Sequence, residues 1–337
     1  MLEKPAIADE RLIETVRRGF GVDLAAVTFL PIGADVNTAV YRGEKTDGST
    51  LFIKLRRGDA TGLSVKIPQA LHDQGFAEII APIEMLDGKL WTKLDDFLVI
   101  LSPYVNGSNG FEQDLFAEQW TALGRALRGI HDARLPDDII ENLPREDFSD
   151  EWRELVRAFQ LQSNRPDFVD DAAEEMAQIM REHEAAVTQL LVHAQQLGDM
   201  LRAEELGFVP CHADIHAGNV LIDEAGKLYI VDWDTFMLAP KERDLMFIGG
   251  GIGDSWRGEH TERPFFAGYG PVEIDWSIIA YYRCERIIQD IAEFGKYLLS
   301  PQGGADRAQA VHYLASNFQP GSTLDIALAS VEKADQA

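Results

Sequence analysis

The sequence predicts an α+β fold in two lobes, a small antiparallel β-sheet lobe followed by a larger and mainly helical one. Three observations carry this. Short β-rich runs, parted by turn signals such as Asp47-Gly48 and Asp87-Gly88, fill the chain up to residue 102. Apolar residues recur at helical spacing from residue 111 onward. The 337 residues, 46% hydrophobic and 26% charged, suffice for two cores and exclude wholesale disorder.

In the first lobe, Asp9 is expected to cap a helix whose Leu12, Ile13, Val16 and Phe20 share a face and which Gly21 ends. Strands are expected at Val27–Leu30, Ala39–Arg42 and Leu51–Leu55, with Asp47-Gly48 turning the last pair. Further strands are read at Ile79–Leu86, Lys89–Leu94 and Leu98–Ser102. Between Leu51–Leu55 and Ile79, Ser64–Gln74 reads as a helix with Pro68 in its first turn. The stretch Ser102–Gly110 is turn-rich, so residues 1–102 form the N-terminal lobe, 103–110 a hinge, and 111–337 the C-terminal lobe.

Helices in the second lobe are expected at Phe116–His131, with Trp120, Leu123 and Leu127 on one face, and at Trp152–Phe159. From Phe168 to Leu206 a stripe of Met176, Ile179, Met180, Val187, Leu190, Leu191, Ala194 and Leu201 is long enough for two helices and reads as core. Tyr281–Glu293 reads as another helix.

The balance of 31 basic against 56 acidic residues gives a net charge of −25, which repels nucleic acid and anionic membrane and attracts cations. Two cysteines, Cys211 and Cys284, are too few for a disulfide framework or a cysteine-built zinc site. The opening Met-Leu-Glu-Lys-Pro-Ala lacks a basic segment followed by an apolar one. No apolar run approaches the roughly 20 residues of a membrane span. A cytoplasmic location is expected, with no protein partner implied.

The chemistry concentrates in Cys211-His212-Ala213-Asp214-Ile215-His216-Ala217-Gly218-Asn219-Val220 and in Asp232-Trp233-Asp234 downstream. Phosphoryl transfer needs one carboxylate to accept a hydroxyl proton, and oxygen ligands to hold Mg²⁺ on a nucleotide's phosphates. Asp214 suits the first task; Asn219 and Asp232 suit the second, since hard Mg²⁺ prefers oxygen donors. Lys54 lies between apolar neighbours on a strand that follows a glycine-bearing hairpin, a setting that suits a phosphate contact. No G-x-x-x-x-G-K-[ST] run occurs, which removes a P-loop.

The H-x-D-x-x-x-x-N spacing and the later Asp resemble the catalytic loop and metal-binding acid of kinases. His-Ala-Asp and Asp-Trp-Asp at these places are similar to the aminoglycoside phosphotransferase family, of protein-kinase-like bilobal fold. Gly33–Thr38, Leu238–Gly253 and Tyr281–Gly295 extend the resemblance toward its spectinomycin phosphotransferase branch. The resemblance implies an antibiotic-modifying kinase using Mg²⁺ and ATP, with GTP possible, on a hydroxyl of a cationic aminocyclitol such as spectinomycin. Asp214 would be the general base, with His216 near the transferred phosphoryl group. Lys54 and the loop Gly33-Ala34-Asp35 would meet phosphates, and the backbone of Pro103, Tyr104 and Val105 an adenine edge.

Candidate substrate anchors are Glu285, Asp290 and Glu293, with Trp256 or Tyr281 as an apolar wall. Asp234 is read as an acid near the metal or, by preference, a turn former, and Asp244 as a brace for the catalytic loop. The glutamate that kinases pair with the strand lysine is missing after Lys54; Asp59, Asp73 or the nucleotide alone remain as partners. Two alternatives stand beside this reading: a kinase of another aminoglycoside, choline, homoserine or a thiosugar, and a pseudokinase.

Overall fold

A computed structural model of the chain describes residues 4–33, 37–58, 61–165, 167–250, 252, 256–300 and 306–336. Its elements begin with α1 (Asp9–Phe20), β1 (Leu24–Leu30), β2 (Thr38–Lys45), β3 (Thr50–Arg56), α2 (Leu63–Asp73), β4 (Thr92–Leu94), β5 (Phe97–Pro103) and β6 (Gly107–Asn109). Then come α3 (Ala117–His131), α4 (Asp137–Ile140), α5 (Glu151–Gln162), α6 (Asp171–Glu182), α7 (Glu184–Arg202) and β7 (Val209–Cys211). After a 3-10 turn at Ala217–Asn219 follow β8 (Val220–Asp223), β9 (Leu228–Ile230), β10 (Met237–Ala239) and α8 (Glu242–Leu245). The last helices are α9 (Glu259–Tyr269), α10 (Trp276–Leu298), α11 (Asp306–Ser316) and α12 (Thr323–Ala334). This is the expected α+β composition. By compactness the chain forms two units, one running to Pro144 and including Gly218–Phe236, the other comprising Arg145–Ala217 and the chain from Met237.

In the first unit the sheet is antiparallel, ordered β1-β2-β3-β5-β4. Strand alternation explains its two faces. Leu51, Ile53 and Leu55 of β3 are buried with Val99 and Leu101 of β5 and with Leu12, Val16 and Phe20 of α1. Burying each such side chain is worth about 1.5–3 kcal/mol. Lys54, between two of these core positions, must therefore face the other way; it pairs in register with Val40 and Ile100.

A second sheet, β6-β8-β9, lies in the same unit. Gly107 permits the approach of β6 to β8, because an added Cβ would lie 2.0 Å from the Ile222 carbonyl oxygen. The segment expected as a hinge contains the short strand β6, and the compact unit that holds it runs on to Pro144.

Several local expectations are corrected. Asp9 is the first helical residue, not the cap: Ala8 flanks the helix, and Asp9 pairs with Lys4 at 2.7 Å. An acid there complements the helix dipole without capping. Pro68 is the sixth residue of α2, in its second turn, because the left-handed Gly62 (φ 67°) lets the helix start at Leu63. Ile79–Leu86 is not a strand. Ile79 makes one bridge to Ile230 and Ile83 one bond to the Leu101 carbonyl, but Pro82 between them can donate nothing to a ladder. The run Lys89–Leu94 shrinks to β4, although Asp87-Gly88 turns as expected, with Gly88 at φ 80°.

The second unit is built on α10, which packs on α5, α7, α11 and α12. Asp275 caps it, accepting N–H bonds from Ser277 (2.8 Å) and Ile278 (3.3 Å). Met176, Met180, Val187, Leu190, Leu191 and Ala194 bury against Cys284, Ile287, Ile288 and Ile291, so the stripe is core. Its two helices, α6 and α7, join at His183. No described helix is long and apolar enough to cross a membrane.

Candidate active site

The loop that carries Asp214 begins where β7 ends. Cys211 pairs in register with Met237 of β10, so the backbone leaves the ladder at His212. Asp244 of α8, fully buried, then accepts the N–H of His212 at 2.9 Å and of Ala213 at 2.6 Å. This is the brace expected from the sequence. It supports a costly conformation: Ala213 stands at φ 67°, a left-handed backbone that non-glycine residues rarely adopt. The buried His212 ring adds a further tie, its Nδ1 accepting the Asp214 N–H at 3.3 Å.

The Asp214 carboxylate so presented meets Arg286 of α10. The Nη1 of Arg286 donates to Oδ1 at 2.7 Å, and Oδ2 lies 3.5 Å from His216 Nε2. Burial disfavours the charge on Asp214, but Arg286, aided by His216 and His212, outweighs it and holds the carboxyl well below the usual carboxylate range. Arg286 in turn stands 3.2 Å from Asp290, whose carboxylate accepts from Asn317 at 3.4 Å. The carboxylate is ionised at neutral pH, the form a proton acceptor requires.

The first unit carries the remaining motif residues. Asn219 is buried, and its carbonyl accepts the Val231 N–H at 3.0 Å across the end of the β8-β9 hairpin. Asp232, just past that hairpin, is half exposed and left-handed (φ 66°). Lys54 donates to Asp232 Oδ1 at 3.0 Å and to Asp234 Oδ2 at 2.9 Å. Arg56, on the same face of β3, reaches the same Asp234 oxygen at 3.1 Å. Burial opposes the lysine's charge, but the two carboxylates outweigh it and keep its pKa above the ordinary value.

This answers the question of the missing glutamate. The partners of Lys54 are Asp232 and Asp234, and Asp234 is an ion-pair acid rather than a turn former. Asp73 instead accepts from Gln69 on the exposed side of α2; Asp59 lies outside the described residues. So do Ala34 and Asp35, while Gly33 stands at φ 85°, with nothing within 4 Å of where a Cβ would lie. Pro103 ends β5, and the chain leaves the ladder at Tyr104 and Val105; Arg42 lies over the Tyr104 ring at 5.6 Å.

The expected substrate residues fall on two faces of α10. Arg286, Asp290 and Glu293 follow helical spacing on the side that meets Asp214; Glu293 is exposed and accepts from Gln289 at 3.0 Å. Glu285 and Tyr281 share a different face. Glu285 is bound at 2.6 Å by Arg153, which is wholly buried, and Tyr281 packs edge-on against Phe148. Trp256 is buried as well. Two functional-looking residues escaped the sequence reading: Arg286 and Arg153. The i, i+4 pairing of Arg286 with Asp290 was the available signal for the first.

Comparison with known proteins places this geometry. A family model described as the phosphotransferase enzyme family matches residues 28–282. Protein StrN of Streptomyces griseus is 24% identical over 322 residues, covering 90% of this chain and 91% of its own. The crystal structure of spectinomycin phosphotransferase, APH(9)-Ia, in complex with ADP and spectinomycin is 38% identical, with a TM-score of 0.90 over 98% of this chain and 100% of that one. Its AMP-bound complex is 36% identical, with a TM-score of 0.86 over 96% and 99%. Amicoumacin kinase hAmiN, at 16% identity and a TM-score of 0.63, shares the fold alone. The kinase-like fold expected from the catalytic loop is borne out.

Proposed function

Because the chain belongs to the phosphotransferase enzyme family, we propose that it transfers the γ-phosphate of ATP to a hydroxyl of spectinomycin or a similar cationic aminocyclitol. The observation that carries this is the 38% identity, over nearly the whole chain, to a phosphotransferase crystallised with ADP and spectinomycin. Asp214 accepts the proton of the attacking hydroxyl; its ionisation under Arg286 supports that role. His216 contacts the phosphoryl group in transit. In phosphoryl transfer there is little covalent work for the protein, so fixing these groups is most of the catalysis.

The nucleotide falls to the first unit. Lys54 meets its phosphates, and the backbone of Pro103, Tyr104 and Val105 holds the base. The donor set fits magnesium: a buried amide at Asn219 and a half-exposed carboxylate at Asp232 are both hard oxygen ligands. Bound there, Mg²⁺ would neutralise charge on the β- and γ-phosphates. The pairing of Lys54 with Asp232 and Asp234 supports turnover over a binding-only role, since it supplies the acidic partner that Asp73 of α2, bonded to Gln69, does not give.

For the acceptor, the net charge of −25 favours a cation. Glu293 is exposed beside Asp290 and suits a substrate ammonium. Glu285, Tyr281 and Trp256 are buried and contribute to the interior rather than to an exposed substrate contact. A requirement for ATP sets the enzyme in the cytoplasm. The test is nucleotide consumption, coupled to ADP detection, across spectinomycin, kanamycin, choline, homoserine and a thiosugar. Turnover of spectinomycin well above the others is expected; turnover of choline or kanamycin without spectinomycin refutes the assignment.

A further inference from the structure

Arg286 occupies a place that packing alone does not explain. Its side chain is about four-fifths buried, between the acids Asp214 and Asp290. Desolvating two carboxylates and a guanidinium is an expensive way to join a loop to a helix, because a well-packed apolar trio would do so as stably. What an apolar trio cannot do is fix a carboxylate. The backbone of Asp214 is already tied through Asp244 and the His212 ring. The side chain alone remains to be oriented, and Arg286 reaches its Oδ1 at 2.7 Å.

We propose that Arg286 is a positioning residue for phosphoryl transfer: its guanidinium, spanning Asp214 and Asp290, holds the Asp214 carboxylate in one orientation and in its proton-accepting form. This rests on the reading of Asp214 as the proton acceptor. The planar guanidinium matters, since Nη1 donates a directed bond to Asp214 while the charge stands in an ion pair with Asp290, 3.2 Å from Nε. Asn317, following α11, steadies Asp290 in turn. The rigidity of α10 transmits the arrangement, because Ile287, Ile288 and Ile291 on its other side are fully buried. The titratable groups facing Asp214 are His212 and His216 from its own loop, with Arg286, Asp290 and Glu293 from α10. Of the cationic groups among them, Arg286 acts most strongly.

The test uses R286M and R286K with Mg-ATP and spectinomycin. In R286M, kcat falls between about ten- and a hundredfold while KM for ATP stays near wild type, as for a misplaced catalytic group. The acid limb of its kcat/KM profile moves up by about 1–3 pH units, the effect of losing an opposite charge at contact. R286K, which keeps the charge but not the fork, recovers most of the pH profile and part of kcat. Carboxyl ¹³C NMR titration of aspartate-labelled protein gives a readout independent of turnover, with Asp214 assigned by its absence in D214N. A carboxyl that titrates at the same pH in R286M and wild type overturns the proposal, as does loss confined to KM. Wild-type turnover by D214N would instead sink the underlying role of Asp214, and the NMR arm would still report whether Arg286 holds its charge.

Discussion

Replacing Asp244 removes the support of the catalytic loop at a point where the cost can be worked out bond by bond. Its carboxylate accepts two backbone N–H groups, from His212 at 2.9 Å and Ala213 at 2.6 Å, in a fully buried setting. A buried donor left without a partner costs about 1–3 kcal/mol. D244A orphans both, so a loss of about 2–6 kcal/mol is expected, partly offset if the loop relaxes and releases the left-handed strain at Ala213, itself worth about 1–3 kcal/mol. D244N keeps one acceptor oxygen and turns the other into a donor facing an N–H, so about half the loss, roughly 1–3 kcal/mol, should remain. Urea unfolding followed by circular dichroism measures this as a lowered midpoint at unchanged m-value. Because Asp214 follows Ala213 directly, kcat should fall with stability, and more than KM. A D244N variant within 0.5 kcal/mol of wild type would refute the reasoning, since that is the scatter of neutral surface substitutions.

Three further outcomes follow from the same contacts. R153M strands the buried Glu285 and should cost about 3–5 kcal/mol by urea unfolding, whereas a surface arginine such as Arg18 should cost less than about 1. Burial pushes the Glu285 carboxyl up to about 7 against the pull of Arg153. The folded state therefore binds this proton more tightly than the unfolded one. Its contribution to stability falls as pH rises from about 4.5 to about 7, and that slope should disappear in E285Q. K54M should lower kcat/KM about 10²–10³-fold in steady-state assays, the loss of a group stabilising the transferred charge.

What the sequence made legible and what it hid divide by distance along the chain. The acid, the amide and the second acid of the motif are close enough in sequence for spacing to speak, and Asp244 could be named as the brace because it lies in a short helix soon after. The partners of Lys54 were invisible for the opposite reason: Asp232 and Asp234 lie 178 and 180 residues away, and a pattern search confined to the next helix cannot find them. Periodicity identified α10 but not its orientation. A 3.6-residue repeat says that Arg286, Asp290 and Glu293 share a face and that Tyr281 and Glu285 share another; only packing says which meets the catalytic loop. Ile79–Leu86 shows a different failure. Its apolar residues suggest a strand, yet Pro82 alone was sufficient reason to doubt one.

In the function proposed, Asp214 takes a proton from a hydroxyl while the γ-phosphate of ATP moves to that oxygen. Phosphorus NMR of spectinomycin incubated with the protein, ATP and Mg²⁺ tests it most directly. A new phosphomonoester resonance is expected to grow as the γ-resonance declines, and D214A should form it about 10²–10⁴ times more slowly. Equal product from D214A, or ATP consumed with inorganic phosphate as the sole product, would contradict the account.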